Sequence, residues 1–293
     1  MTVRLVARRG WFGLAGLMAV VLASLLLRST LTKKDVRLSN QAIIEAVQRD
    51  DWDAISAVPP DPLRLAEDLE HVMAQLGDEG SQIAATLASR YPSPQTTHFM
   101  LTMARSTHMQ AAVTAAMSLS TLPDAPSVAD LAGTVKHAAD PMVRAQLYLA
   151  LGRSKDAQAL SALRALLSTE ADASAAVKGT AAAARLGGTA ERMALLARVT
   201  NASAENAKDV YDDLLYVGDV RLAKGLLPWL DKLDPVTRIG SDVDNRAARL
   251  CDLAVWTALR LGVKVPASGD KIANYDKTTL AATRAALQQL PTP

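Results

Sequence analysis

The sequence predicts an all-α protein, an α-solenoid of stacked helical hairpins preceded by one N-terminal transmembrane helix. Three observations carry this reading. Of the 293 residues 49% are hydrophobic but only 4% aromatic, a balance that suits helices packed through small side chains better than sheets built from β-branched and aromatic residues. From Ser39 onward apolar residues recur every three or four positions, with no convincing alternating strand. Several of these periodic stretches end in an apolar residue plus glycine, the usual helix stop.

The first 40 residues carry Arg4, Arg8, Arg9, Arg28, Lys33, Lys34 and Arg37 against Asp35, a net of +6; with the whole chain at +2, the remainder carries −4. A duplex-binding protein concentrates positive charge on its body, so nucleic acid is not an expected partner. Residues 1–10 form a short basic tail. Trp11 to Leu27 then runs 17 residues without a charge between Arg8-Arg9 and Arg28, a length of about 25 Å as a helix, at the short end for a membrane span. Flanking arginines can snorkel, and Trp11 and Phe12 stand where interfacial aromatics belong. Residues 11–27 therefore read as an uncleaved signal anchor. Of the two competing readings, cleavage after Val21-Leu22-Ala23 leaves Leu25, Leu26 and Leu27 at an odd mature start, and a buried soluble helix lacks a polar face. Long downstream domains translocate largely regardless of charge, so the N-terminus is placed in the cytoplasm and the body in the periplasm of a Gram-negative cell, anchored in the inner membrane. Ala15, Ala19 and Ala23 form a small-xxx-small stripe that could pair two anchors weakly.

A juxtamembrane linker (28–38) leads into the helical body (39–265), followed by a linker and capping helix (266–293). Helices are expected at 40–57, 62–77, 80–91, 95–105, 107–121, 126–138, 141–152, 155–168, 172–186, 189–200, 204–217, 220–231, 243–262 and 277–290. Pro59, Pro60, Pro62, Pro92, Pro94, Pro123, Pro126, Pro141, Pro235 and Pro266 fall at starts or connections, where a missing N–H costs little. Pro228 is the exception and should kink or shorten its helix. Gly77, Gly152, Gly187, Gly218 and Gly262 follow a last apolar residue and are expected to be left-handed stops. Spacings of 35, 31 and 44 residues separate the last four, within the range of helical-hairpin repeats that must stack to bury their apolar faces.

Asp140-Pro141, Val143-Arg144, Leu147, Ala150, Leu151 and Gly152 resemble the first helix of a HEAT repeat, and Asp156, Leu160, Leu163 and Leu167 its second. Arg246 to Gly262, with Arg249, Asp252 and Ala254, is similar to the first helix of bacterial HEAT-like repeats. Val177-Lys178 is shifted by one residue, and the repeat ending at Gly218 lacks the proline and arginine. The resemblance spans roughly 62–265 and implies a stacked-hairpin fold, a binding style, and a ladder between adjacent repeats through Asp140 and Arg144.

No cofactor or metal site is expected. His71, His98, His108 and His137 never pair at ligand spacing. Glu67, Asp68, Glu70 and His71 read as a solvated helix face, and Asp209, Asp212 and Asp213 as an acidic one. Gly187-Gly188-Thr189 lacks the lysine of a phosphate loop. Cys251 sits among apolar neighbours as a small hydrophobe, and a single cysteine excludes an intrachain disulfide. The expected function is a non-catalytic, membrane-tethered scaffold that binds a protein or peptide through a concave helical surface. Arg164, Arg192, Lys224 and Trp229 on successive second helices are the candidate contacts. Trp229 as repeat core and the cations as ordinary solvated charge are the competing assignments. The alternative functions are an accessory or lyase-like HEAT-repeat enzyme, or a structural subunit of an envelope assembly.

Overall fold

The structure is a computed structural model that describes residues 83–236, 248–267 and 272–293, together with single positions at 49, 51, 53, 69, 70 and 81. The anchor at 11–27, the linker at 28–38, the first two body helices, the stop at Gly77, and Glu67, Asp68 and His71 lie outside the described residues. Within them the body is helical, with one isolated antiparallel bridge, Pro235 to Arg249. No helix among the described residues is long and apolar enough to cross a membrane.

A helical segment at 83–90 precedes α1 (Pro94–Met103), α2 (Met109–Thr121), α3 (Val128–His137), α4 (Pro141–Leu151), α5 (Ala159–Leu167), α6 (Ala173–Arg185), α7 (Thr189–Thr200) and α8 (Ala207–Val217). A 3-10 helix (Val220–Asp231), α9 (Leu250–Arg260) and α10 (Lys277–Gln288) complete the body. The starts are chemically explicit. Ser93, Ser127, Asp140, Asp172 and Asp276 accept a backbone N–H in the first turn of α1, α3, α4, α6 and α10, satisfying donors that have no partner inside the helix.

The helices pack in two layers. One runs α2, α4, α6, α8, α9, each against the next; the other places α3 against α5, α7 against the 3-10 helix, and that helix against α10. Odd and even partners are joined as hairpins, which is the arrangement an α-solenoid makes. The core forms two clusters rich in alanine and leucine, with the alanines of α6 divided between them and Tyr216 packed against both. In α6, Ala181 to Ala184 are all buried, and a Cβ on Gly179 would meet Leu167 Cδ2 and come within 3.2 Å of the Tyr148 ring. This makes α6 a slim helix that both neighbours in its layer approach closely.

Two local expectations are corrected. Gly187, Gly218 and Gly262 adopt positive φ (98°, 69° and 90°), but Gly152 is right-handed, at φ −66° and ψ −9°. Its glycine is required by proximity: a Cβ there would lie 2.8 Å from Ala182 Cα and nearer still to the Tyr216 hydroxyl. That hydroxyl belongs to α8 and donates to Leu149 O of α4 at 2.6 Å, reaching past α6. Pro228 does not shorten its helix. The whole 220–231 span is wound as a 3-10 helix, in which residues three apart eclipse, so that buried Ala223, Leu226 and Trp229 form one column. Gly225 lies beside it, where a Cβ would come within 2.9 Å of Val199 Cγ1.

Candidate functional site

The four residues proposed as partner contacts occupy different situations. Trp229 is fully buried, and its indole N–H donates to Val199 O at 2.7 Å; it is core, and it also satisfies a carbonyl at the C-terminal end of α7. Lys232 donates to Ala202 O just beyond. Lys224 is half-buried and donates to Leu290 O at 3.0 Å, closing the end of the chain that follows α10. Both cations thus bond carbonyls at helix ends that lack an internal partner. Arg192 donates from Nε to Ala184 O and lies 3.4 Å from Asp219. Arg164 is the most open of the four, its side chain 49% exposed, yet it grips Glu191 with two bonds of 2.7 and 2.8 Å. The expected groove cations are therefore bonded within the fold, and Trp229 lies beneath the surface.

Arg164 and Arg192 nevertheless belong to a series of ion pairs tying hairpin to hairpin. Arg144 on α4 holds Glu170, between α5 and α6, through Nε and Nη2 at 2.8 and 2.9 Å, while its Nη1 donates to Ala138 O and Ala139 O after α3. Glu170 also accepts from the Tyr148 hydroxyl and from Asp172 N. Its side chain is 2% exposed, and the Arg144 guanidinium holds its carboxyl down to about 2 against the opposing effect of burial. Burial and the Glu170 bond push the Tyr148 phenol up. The ladder expected of Asp140 and Arg144 differs in its acid: Asp140 instead caps its own helix, accepting from Met142 N and Val143 N.

The next tie joins Lys178 of α6 to Asp213 of α8 at 2.7 Å, with Arg198 of α7 on the other oxygen. Asp213 is therefore buried between two cations, rather than part of an exposed acidic face. Asp252 on α9 is fully buried, holds Arg249 through two 2.7 Å bonds, and accepts from Tyr275 N. This fixes the approach to α10. Spacing alone could not identify these partners, because each pair joins residues 15 to 35 positions apart except Arg249–Asp252.

Among the described residues no group of three or more His, Cys, Asp or Glu could hold a metal ion. Cys251 is buried, and burial pushes its thiol up, away from the thiolate form that reacts. A shallow, open hollow of about 360 Å³ is lined by Glu70, Pro94, Gln95, His98 and Phe99.

One cluster was not picked out from the sequence. Arg185 at the end of α6 and Arg153 just after α4 act on Tyr216 of α8, while Arg192 in the first turn of α7 and Arg221 in the 3-10 helix face Asp219, three residues further on. The Arg185 guanidinium stacks 5.1 Å from the Tyr216 ring centroid and donates to Tyr216 O. Burial pushes the Tyr216 phenol up, and the charges of Arg185 and Arg153 pull it the other way. Asp219 takes two bonds from Arg221 at 2.9 and 2.6 Å and faces Arg192; Arg221 foremost, with Arg192, holds its carboxyl below the usual range. The available signal is an arginine recurring beside the leucine-glycine stops, in Leu151-Gly152-Arg153 and Arg185-Leu186-Gly187.

No family model, curated protein or solved structure matches the chain. The HEAT-like resemblance thus rests on the residues quoted for it.

Proposed function

We propose that this chain is a membrane-tethered, non-catalytic scaffold of HEAT-like hairpins, held by residues 11–27 with its body in the periplasm, that binds a protein or peptide partner across several repeats. The observation that supports it is the stack of hairpins in two layers, α2-α4-α6-α8-α9 beside α3, α5, α7, the 3-10 helix and α10, tied together by ion pairs at successive junctions. Such an array offers a surface distributed over many turns, which suits an extended partner better than a small substrate. Trp229 has no part in that surface, because it is fully buried. Lys224 serves the end of the fold, which leaves Arg164 and the turn residues around Arg192 as the relevant contacts.

Crosslinking in intact membranes followed by affinity capture of the full chain tests this reading. The expected result is a defined protein crosslinked at photoreactive residues placed in two or more different hairpins. Crosslinks confined to a single hairpin, or a small-molecule turnover abolished by one substitution in a folded chain, would overturn it.

A further inference from the structure

We propose that the turn edge carrying Arg153, Arg185, Arg192 and Arg221 is a docking site for an acidic peptide segment, rich in aspartate or glutamate, of a partner protein. This rests on the scaffold reading and adds the chemistry of the partner. Two guanidiniums, Arg221 and Arg192, face Asp219, and two more, Arg185 and Arg153, act on Tyr216 three residues before it, so that four cations meet one carboxylate not already held from outside the group. The next carboxylates outward are already held: Glu191 by Arg164, and Asp213 by Lys178 and Arg198.

The arginines differ in what they can still offer. Arg221 and Arg192 are committed to Asp219 and supply field rather than free donors. Arg185 spends one N–H on the Tyr216 carbonyl and rests its face on the ring, so its other donors are presented on a guanidinium already fixed in place. Arg153 is exposed, and its guanidinium forms no hydrogen bond or ion pair among the described residues. A carboxylate entering beside Tyr216 would meet the free fork of Arg153 and the held fork of Arg185, and arginine is suited to two-point recognition of that group.

The spacing favours an extended peptide. Arg153 follows α4 and Arg185 ends α6, helices that pack against one another in the same layer, and packed helices lie about 8–10 Å apart. An extended chain advances about 10 Å in three residues, so two acids three positions apart would meet Arg153 and Arg185. An anionic bilayer is less well matched. Of the exposed large apolar residues, Met109, Met117, Met142 and Leu233 belong to other parts of the chain and Met193 alone adjoins a cation, Arg192, so the cations have one exposed apolar neighbour in sequence rather than an apolar patch to insert.

Fluorescence anisotropy on the detergent-solubilised full chain tests the site, using a labelled hexaglutamate peptide, a hexaglutamine control and inorganic pyrophosphate as competitor. Hexaglutamate is expected to bind at low salt, weaken as salt rises, and exceed hexaglutamine; Arg153→Glu with Arg185→Glu should weaken it by at least about tenfold. Because Arg185 also holds Tyr216, Arg153→Glu alone is the companion variant, with an unchanged melting curve and a loss of about threefold or more. The basic N-terminal segment is present in every protein tested, so hexaglutamate binding indifferent to both variants would overturn the proposal. Binding of pyrophosphate without hexaglutamate would overturn it in favour of a phosphate site. Failure here with multi-hairpin crosslinks intact would remove the acidic segment alone, whereas loss of those crosslinks would remove the scaffold reading itself.

Discussion

At Gly152 the backbone is ordinary and the space is not, whereas at Gly262 the reverse holds: φ is +90° and nothing lies within 4 Å of an added Cβ. The two sites can be told apart with one residue type. Asparagine tolerates the left-handed region better than other side chains, so Gly262→Asn is expected to cost under about 1 kcal/mol. Gly152→Asn must displace Ala182 or the Tyr216 hydroxyl, and should cost about 2 kcal/mol or more by thermal denaturation. Equal losses would mean that the close approach to Ala182 does not govern Gly152. Glu170 supports a second prediction at this scale. Its carboxyl titrates near 2 in the folded protein and near its ordinary value of 4.5 when unfolded. The stability it contributes is therefore present above about pH 4.5 and lost as pH falls towards 2, on the order of 2 kcal/mol. Glu170→Gln should be less stable at neutral pH and show a flatter acid limb, measured by urea unfolding from pH 6 to about 2.5. A variant whose loss does not shrink with acid would rule out the Arg144 pair as its source.

The elements themselves were largely legible. Periodicity and proline positions place α2, α4, α6, α7 and the 220–231 helix within two residues of where they lie, because proline at α4 and glycine after α6 and α8 act locally. What was hidden depends on neighbours. Nothing within residues 148–156 announces that Gly152 faces a tyrosine 64 positions later, and a helical period cannot distinguish Trp229 turned inward from Trp229 exposed. The winding of 220–231 is another such case. Pro228 cannot donate to the ladder, and Gly225 sits against Val199, so a tighter helix brings the Ala223-Leu226-Trp229 column against α7. Trp229→Phe should keep most of the buried area while removing the indole bond to Val199 O, which retains only the longer bond from Ala202 N, at a loss of about 1 kcal/mol; Trp229→Ala should lose about 3–5 kcal/mol. Both are measured by denaturant unfolding, and any weakening of partner capture should vanish for the folded fraction. Capture lost from a fully folded Trp229→Phe protein would return this residue to the binding surface. The candidate contacts were legible only as charges: Arg164 and Arg192 stand on the expected second helices, but their acids, Glu191 and Asp219, come from elsewhere in the chain.

For the whole molecule, the proposed tether and the array make separate demands. The full chain is expected to stay in the membrane fraction through high salt and alkali, and a reporter fused after Pro293 should be active only outside the cytoplasm. A soluble mature form starting near Ser24, or cytoplasmic reporter activity, would revise the anchor or its direction. The array has a further property that begins with one hydroxyl. Repeat stacks in which each unit touches only its neighbours behave as interchangeable parts, gaining or losing a unit with little penalty beyond the local interfaces. Tyr216 departs from that rule, since it bonds Leu149 two hairpins back across slim α6. The middle hairpin is thus a spacer of set thickness: excise it, duplicate it or thicken α6, and the phenol no longer reaches its carbonyl. A change of copy number along this stretch therefore costs this bond as well as the local interfaces.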